Sequence, residues 1–349
     1  METFETLVRA EFAPKNTYLN TASTGLLPAR TVRALGRAVE TAAAGQLTDL
    51  FEDVDAARAS FARLAGVPAH RVAAGTSVAV FTGMIAASLP EGAEVLTAQG
   101  DFSSLVNPFH MRPGLKVRAV PLEGIAEAVR PGTALVVVSA AQSADGRIAD
   151  LPALRAAARA HGARTYVDVS QAAGWLPVDA EAYDYVAAVA HKWLLCPWGV
   201  AFLTVPEDLG GLTPVFAGWV SGEEPWDSCY GPVPELARSA RRFDASPTLL
   251  SYAGARGSLR LVEELGVERV RQHDLALADR FRAGLSSLGT EPLPSPGSAI
   301  VSVPGLGARR PELSRAGVEV ADRAGNLRVA FHLYNTSADV DRALDVLAG

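Results

Sequence analysis

Four polar side chains near the middle of the chain have types and a spacing that could do chemistry. Asp168 and Gln171 follow one short apolar run, and His191 and Lys192 follow the next. Side chains that follow buried parallel strands face a crevice at the carboxyl edge of the sheet. A lysine in such a place is desolvated, loses its proton more easily and becomes a nucleophile that forms Schiff bases. The spacing therefore indicates amine chemistry at a sheet edge.

The pair Asp168 and Lys192 has two interpretations. A pyridoxal phosphate enzyme needs a lysine that holds the cofactor aldehyde and a carboxylate that keeps the ring nitrogen protonated. A buried ion pair without chemistry would use the same two residues. Because short motifs often match by chance, these residues alone do not separate the two interpretations.

The composition predicts a globular enzyme rather than a nucleic-acid or membrane protein. A length of 349 residues predicts two domains, or one large α/β domain with an appendage. A net charge of −6 with dispersed Lys and Arg gives no basic stripe, so nucleic acid is not an expected partner. Cys196 and Cys229 lie far apart and, with six scattered histidines, predict no metal site. We expect a soluble cytoplasmic protein, because no apolar run reaches membrane-spanning length and the N-terminus does not resemble a signal peptide.

The elements that must position these side chains alternate between strand and helix. An arm over residues 1–27 has an extended segment at 17–20, and helices are expected from residue 28 and over 49–64. Further strands and helices are expected at 71–74, 76–89, 94–97, 116–121, 134–139, 151–161, 164–167, 184–190 and 198–205. This alternation predicts an α/β fold with a mostly parallel sheet between helices.

The C-terminal part has a different pattern. Long charged helices are expected at 247–265 and 267–288, then strands at 299–303, 318–321 and 327–331 and a helix from 338. The prediction is an N-terminal arm (1–27) that packs with the small domain, a large cofactor-binding domain (28–245) and a smaller α+β domain (246–349).

Other positions could bind parts of a ligand, and each has a plainer alternative. Thr76 and Ser77, between a strand and a helix, suit a phosphate or a helix N-cap. Phe102 could stack on a planar ring or pack in the core. Gln142 could bind a ring hydroxyl or be an ordinary loop amide. Arg328 could bind a substrate carboxylate or form a surface salt bridge.

Taken in this order, the signals resemble the class V aminotransferase-like group of fold-type I pyridoxal phosphate enzymes. That group includes cysteine desulfurases, isopenicillin-type epimerases, kynureninase and C–S lyases. The resemblance runs from YLNTASTGLLP (18–28) to RVAFHLYNTSADVDRAL (328–344), and its most specific part is DVSQAAG followed by AHKW. It implies pyridoxal 5′-phosphate as cofactor, an amino-acid substrate and a homodimer with shared active sites.

The resemblance also implies a role for individual residues. Lys192 would form the Schiff-base link to the cofactor, and Arg328 would bind the substrate α-carboxylate. The other residues implied at the cofactor are Asp168 at the ring nitrogen, Gln171 at the ring hydroxyl, Phe102 on the ring face, Gln142 near the ring, His191, Thr76 and Ser77 at the phosphate, and Ser246 from the partner subunit. Asn20 is expected near the substrate. Two positions depart from the family pattern, since Val189 replaces a common Ser and Gln142 a common Asn.

The loop 213–234 is the most informative region about the substrate. Trp219, Trp226 and Tyr230 are interleaved with three carboxylates, which favours a quaternary ammonium group. The alternative is that these aromatic residues pack the loop or a dimer interface. Together with DFSSLVNPF (101–109) and RRFDASPT (241–248), the loop is similar to the C–S lyase of bacterial ergothioneine synthesis. This resemblance implies hercynylcysteine sulfoxide as the substrate.

Three other functions stay open. A cysteine desulfurase needs a reactive cysteine on a loop in the last third of the chain, where no cysteine follows Cys229. Cys196 is flanked by Leu and Pro, as in buried packing. An aminotransferase or epimerase would keep the β-substituent of its substrate. A non-catalytic pyridoxal-phosphate-binding protein would need none of the catalytic positions that are filled here.

Overall fold

The computed structural model describes residues 4–46 and 51–349, and twelve strands lie in these ranges. The strands are β1 Thr17–Tyr18, β2 Val72–Gly75, β3 Glu94–Ala98, β4 Lys116–Val120, β5 Thr133–Ser139, β6 Arg164–Asp168, β7 Tyr185–Val189, β8 Ala201–Thr204, β9 Ile300–Val303, β10 Val318–Glu319, β11 Ala321–Arg323 and β12 Asn326–Ala330.

Ten α-helices lie in the same part of the chain. They are α1 Phe4–Glu11, α2 Ala29–Ala43, α3 Glu52–Ala65, α4 Val78–Ser88, α5 Ser103–Met111, α6 Leu151–His161, α7 Leu249–Leu265, α8 Val267–Ser287, α9 Arg310–Arg315 and α10 Ser337–Ala348.

Seven strands form one large sheet in the order β2-β8-β7-β6-β5-β3-β4. Strands β4, β3, β5, β6 and β7 run parallel, and β8 and β2 complete the sheet with antiparallel pairings. The carboxyl ends of the parallel strands therefore lie at one edge, which is where α/β sheets bind ligands. This arrangement confirms the predicted α/β fold.

The central strands of this sheet lack polar alternation because both faces of the sheet are covered. Along β5, Val136 and Val138 pack into the core on one face, while Leu135 and Val137 pack into the core on the other. A strand buried on both faces is read from sequence as a continuous hydrophobic run. The predicted strand positions were correct for this reason.

A second, smaller sheet has the antiparallel order β11-β12-β9. This sheet shares a hydrophobic core with α8 and α10. In that core, Phe281 of α8 packs against Phe331, which follows β12. The N-terminal segment joins this region, since β1 pairs with β10 and Asn20 bridges Ala330. The division at residues 27/28 and 245/246 stays a prediction.

Several local expectations differ from the structure. The helices α5 (Ser103–Met111), α1 and α9 were not predicted from the sequence. The expected strand at 318–321 is two short strands, β10 and β11. The expected start of a helix at residue 49 lies outside the described residues. Within the described ranges no helix has the length and apolar character to cross a membrane.

Candidate active site

A cavity of about 410 Å³ opens at the carboxyl ends of β3, β5, β6 and β7. Five residues predicted from the sequence line it, namely Ser77, Phe102, Asp168, His191 and Lys192. They come from four separate segments, because His191 and Lys192 are adjacent, and the sheet edge brings these segments together as the strand–helix alternation predicted.

The backbone around Lys192 is held by close contacts. The amide of Gly25 donates a hydrogen bond to the carbonyl of His191 at 2.9 Å. A Cβ atom at Gly25 would lie 2.1 Å from the carbonyl oxygen of Lys192, so only glycine fits there. The Nε2 atom of His332 lies 3.0 Å from the carbonyl oxygen of Trp193 and donates to it. The lysine therefore extends from a rigid loop.

The Lys192 amine is buried and has a lowered pKa. Its side chain is buried, and its Nζ atom makes no hydrogen bond within the described chain, while it lies 5.0 Å from the centre of the Phe102 ring. Burial lowers the pKa of Lys192 to about 8; the Asp168 charge opposes this shift and the charges of Arg328 and Arg323 add to it. At pH 7 roughly a tenth of the amine is therefore unprotonated, far more than for a solvent-exposed lysine.

Asp168 ends β6 and faces the cavity from the buried side. Its Oδ1 atom accepts a hydrogen bond from the amide of Ser170 at 2.7 Å, whereas Oδ2 accepts none from the residues that the structure describes. Burial raises the pKa of the Asp168 carboxyl, and the Ser170 hydrogen bond and the Lys192 charge oppose that shift. One carboxylate oxygen is thus available to a cationic N–H donor.

His191 forms a stacked pair with Trp198. The ring centres are 3.6 Å apart and the planes differ by 15°. Burial lowers the pKa of His191 to about 4, and the Lys192 charge adds to this shift, so the imidazole is neutral at pH 7. Trp198 is 64% exposed and lines the cavity, and sequence analysis missed it.

The N-terminus of α4 reaches the same cavity. Ser77 caps the helix by accepting a hydrogen bond from the amide of Val80 at 3.4 Å, as the plainer interpretation predicted. Ser77, Val78 and Ala79 also line the cavity, and the first amides of a helix lack intrahelical partners. The cap is thus observed, and a phosphate at the neighbouring amides stays a prediction. Thr76 is half-buried and does not line the cavity.

Arg328 is fully buried without a carboxylate partner in the described part of the chain. Its guanidinium donates to the carbonyl oxygen of Ser143 at 2.6 Å and to Ser23 Oγ at 2.7 Å, with a longer contact of 3.4 Å to Asn20 Oδ1. Its Nε atom has no partner. Burial lowers the pKa of Arg328 to about 9, with a further contribution from Arg323. Buried charges are normally paired, so this arrangement suits a carboxylate ligand.

Both predicted glutamines have hydrogen-bond partners within the protein, and those of Gln171 include Ala22 and Ser143 of the cavity wall. Gln171 donates to the carbonyl oxygen of Ala22 at 2.8 Å and accepts from Trp193 Nε1 at 2.8 Å. Gln142 donates to Asp101 Oδ2 at 3.2 Å. Neither side chain lines the cavity, so their direct contact with a cofactor stays a prediction.

The aromatic residues of the 213–234 loop lie elsewhere on this subunit. Trp219 and Trp226 pack on each other with ring centres 5.2 Å apart, and both contact Phe51. Tyr230 is 92% exposed and Ser246 is exposed. None of them lines the cavity of its own chain.

Ser23, Ser143, Ser170 and Arg323 also line the cavity, and none of them was predicted from the sequence as a site residue. Ser170 accepts a hydrogen bond from the amide of Val189, and Ser23, Ser143 and Arg323 surround the Arg328 side chain. The serine at 23 lies in the STG turn (23–25) and Arg323 precedes an Ala-Gly turn, which were the available signals.

Comparisons with known proteins agree with this geometry. The family model described as aminotransferase class-V matches residues 17–343. An isopenicillin N epimerase of Streptomyces clavuligerus is 31% identical, over 95% of this chain and 94% of its own. An uncharacterized aminotransferase of Bacillus subtilis, YcbU, is 28% identical over 86% of this chain and 84% of its own. The cystine C–S lyase C-DES, solved with cysteine persulfide, superposes with a TM-score of 0.87 at 24% identity, over 96% of this chain and 97% of its own.

Proposed function

Since the chain belongs to the class V aminotransferase family, we propose that it is a carbon–sulfur lyase that cleaves a cysteine S-oxide. The substrate proposed is hercynylcysteine sulfoxide, and the products are pyruvate, ammonia and the sulfenate of ergothioneine. The finer assignment rests on the resemblance of three segments, 101–109, 217–231 and 241–248, to the lyase of ergothioneine synthesis.

The family uses pyridoxal 5′-phosphate, which is therefore the cofactor of this chain. The residues of the cavity fit it. Lys192 has an unpaired amine for the aldehyde, Asp168 has an unpaired oxygen for the ring nitrogen, and Phe102 has a half-exposed ring. The α4 N-terminus at Ser77 offers amides to the phosphate. When bound, the cofactor supplies an electron sink for the substrate α-carbon.

The observation that carries the proposal is the buried Arg328 guanidinium, which has no carboxylate partner in the described chain and donates to Ser23 and Ser143 of the cavity wall. A guanidinium binds a carboxylate through two parallel hydrogen bonds, which would fix an α-amino acid at the cavity wall. Ser23 and Ser143, which hold the Arg328 side chain, themselves line the cavity. The site therefore supports an amino-acid substrate with its amino group directed toward Lys192.

The chain's own groups account for the proton movements of an elimination. The unprotonated Lys192 Nζ accepts the α-hydrogen, so the α C–H bond breaks, and its electron pair forms the carbon–carbon double bond only as the β-carbon–sulfur bond breaks. The β-carbon–sulfur bond then breaks, and its electron pair leaves with sulfur as sulfenate. Addition of one water molecule to the three-carbon remainder gives pyruvate and ammonia. A thiol from outside the protein reduces the sulfenate.

The cysteines disfavour persulfide chemistry in this cavity. Cys196 is fully buried, and burial raises the pKa of its thiol. Cys229 is exposed in the 213–234 loop, and neither cysteine lines the cavity. A thiolate nucleophile of the cysteine desulfurase type is thus missing from the described cavity wall, whereas elimination needs none.

In the proposed homodimer, the aromatic residues of the 213–234 loop contribute to the cavity of the partner subunit. Trp226 and Tyr230 are 65% and 92% exposed and lie outside the cavity of their own chain, so they are free to approach the partner's cavity. Ser246 is exposed in the same way. We place the trimethylammonium group of the substrate against these rings, where the ring quadrupole attracts a cation.

The test is pyruvate release by the reconstituted holoenzyme, with hercynylcysteine sulfoxide, the corresponding thioether and free cysteine as parallel substrates. The proposal predicts pyruvate and ammonia in equal amounts from the sulfoxide, and no alanine from cysteine. Cys229→Ser should behave as the unmodified protein. Alanine and a persulfide from cysteine, lost in Cys229→Ser, would instead identify a desulfurase.

A second candidate is an epimerase or aminotransferase. It is favoured by the 31% identity to isopenicillin N epimerase over 95% of the chain. Such an enzyme would leave the β-substituent on its substrate. Chiral chromatography of the remaining amino acid, with a 2-oxo acid as amino acceptor in a second reaction, separates both activities from the lyase.

A further inference from the structure

We propose that Arg323 forms a second anion subsite, which binds a carboxylate on the S-substituent of the substrate. This inference rests on the proposed function, because it concerns the part of a cysteine derivative that lies beyond the sulfur. Arg323 lines the same cavity as Lys192 and Asp168.

The hairpin β11–β12 fixes the position of Arg323. Arg323 pairs with Asn326, so only Ala324 and Gly325 form the turn, with φ values of 53° and 82°. Two successive positive φ angles define a tight hairpin turn that matches the strand twist. The backbone of Arg323 is thus held at a sheet end rather than on a long loop.

The same hairpin sets both guanidiniums on one face of the small sheet. Arg328 pairs with Ala321, which lies two residues before Arg323. Because side chains alternate along a strand, Ala321, Arg323 and Arg328 project from the same face, and the two arginines are diagonal neighbours. The spacing of the two cations is therefore a property of strand register.

Ser23 holds the two arginines together. Its Oγ atom accepts a hydrogen bond from Arg328 at 2.7 Å and one from Arg323 at 2.9 Å, and donates to Asn20 Oδ1 at 2.7 Å. Arg323 makes its other hydrogen bond to the carbonyl oxygen of Asp322. Within the described ranges neither guanidinium has a carboxylate partner, and of the two Arg323 lines the cavity while Arg328 lies buried behind Ser23.

Cationic groups outnumber carboxylates at and beside the cavity, which favours the binding of more than one anion. Lys192, Arg323 and Arg328 contribute three cationic groups, and Asp168 is the lining carboxylate among the described residues. Arg328 is buried and suits the α-carboxylate, whereas Arg323 is exposed at the cavity edge and suits a group farther from the α-carbon. Arg323 makes no hydrogen bond to the α4 N-terminus, whose amides are proposed to bind the cofactor phosphate. The Arg323 subsite is therefore separate from the phosphate site.

The experiment compares two matched ligands, S-(2-carboxyethyl)-L-cysteine and S-propyl-L-cysteine. Their dissociation constants are measured on the holoenzyme from the change in cofactor absorbance on rapid mixing, before any turnover. The unmodified protein should bind the carboxylate at least about tenfold more tightly, because a hydrogen bond to a charged group is lost with the propyl analogue. Arg323→Gln should remove that preference, and Arg323→Glu should favour S-(2-aminoethyl)-L-cysteine. Arg280→Gln, an exposed arginine of α8 paired with Asp341, is the matched control.

Three results would overturn the subsite. They are equal affinities in the unmodified protein, a preference that survives Arg323→Gln, or a loss of cofactor affinity in Arg323→Gln with unchanged ligand selectivity. Failure of the proposed function gives a different result, because the carboxylate preference would persist while no pyruvate forms from the sulfoxide.

Discussion

Replacement of Arg328 by Met should stabilise the cofactor-free protein while it removes substrate binding. Burial lowers the pKa of this guanidinium from 12.5 to about 9, and each pKa unit corresponds to 1.36 kcal/mol, so the buried charge costs roughly 5 kcal/mol. Ser143 and Ser23 recover part of this cost through hydrogen bonds. Exchanging buried charges for an apolar side chain of similar length commonly gains about 1–4 kcal/mol, and we expect a gain near the lower end.

The sign of this effect depends on pH in a defined way. The folded pKa of Arg328 lies below the unfolded value, so the charged form is penalised in the folded state at every pH below about 9. The penalty diminishes as the pH rises from 9 toward 12.5. The gain from Arg328→Met should therefore be complete at neutral pH.

The assay is urea unfolding of the cofactor-free protein at pH 7, together with amino-acid binding to the holoenzyme. Arg280→Met is the control, because Arg280 is half-exposed and pairs with Asp341 on the surface, where such changes stay within about 0.5 kcal/mol. The holoenzyme of Arg328→Met should bind S-propyl-L-cysteine at least about tenfold more weakly. A loss of more than about 2 kcal/mol of stability with retained binding would show that Arg328 is a structural cation.

Three further predictions concern Lys192 and the residues that contact the backbone around it. The rate of cofactor uptake should rise with pH around a midpoint near 8, because only the neutral Lys192 amine reacts; a stopped-flow midpoint near 10.5 would contradict the burial argument. His332→Leu should cost about 3–5 kcal/mol in chemical unfolding, since it leaves Asp274 buried and unpaired, and adding Asp274→Leu should restore much of the loss. Gly25→Ala should lower stability by about 1–3 kcal/mol or more and reduce bound cofactor, and an unchanged melting temperature would show that the loop can move aside.

The large sheet could be predicted because its signal is local. Strands β5 and β7 are nearly continuous apolar runs, and each run ends close to where the strand ends. The helix α5 was harder to predict, since it contains Pro108, and proline is unfavourable inside a helix.

The candidate site was predictable for side chains that directly follow strands. Asp168 and Lys192 are of this kind, and the sheet edge brings them to one cavity. The partners of Gln171 and Arg328 come from residues 22–23, about 150 and 300 positions away in sequence, and no local pattern encodes them. Trp198 was missed because an exposed tryptophan after a proline has no periodic signal.

The most direct test of the site is exchange of a substrate α-hydrogen. The holoenzyme is incubated in deuterium oxide with L-2-aminobutyrate, which has no β leaving group, and the α-proton signal is followed by nuclear magnetic resonance. The account predicts exchange by the unmodified protein and a fall of about 10²–10⁴-fold in Lys192→Ala with cofactor still bound. Exchange at the same rate in Lys192→Ala would mean that another group moves the proton, and the site described around Lys192 would be wrong.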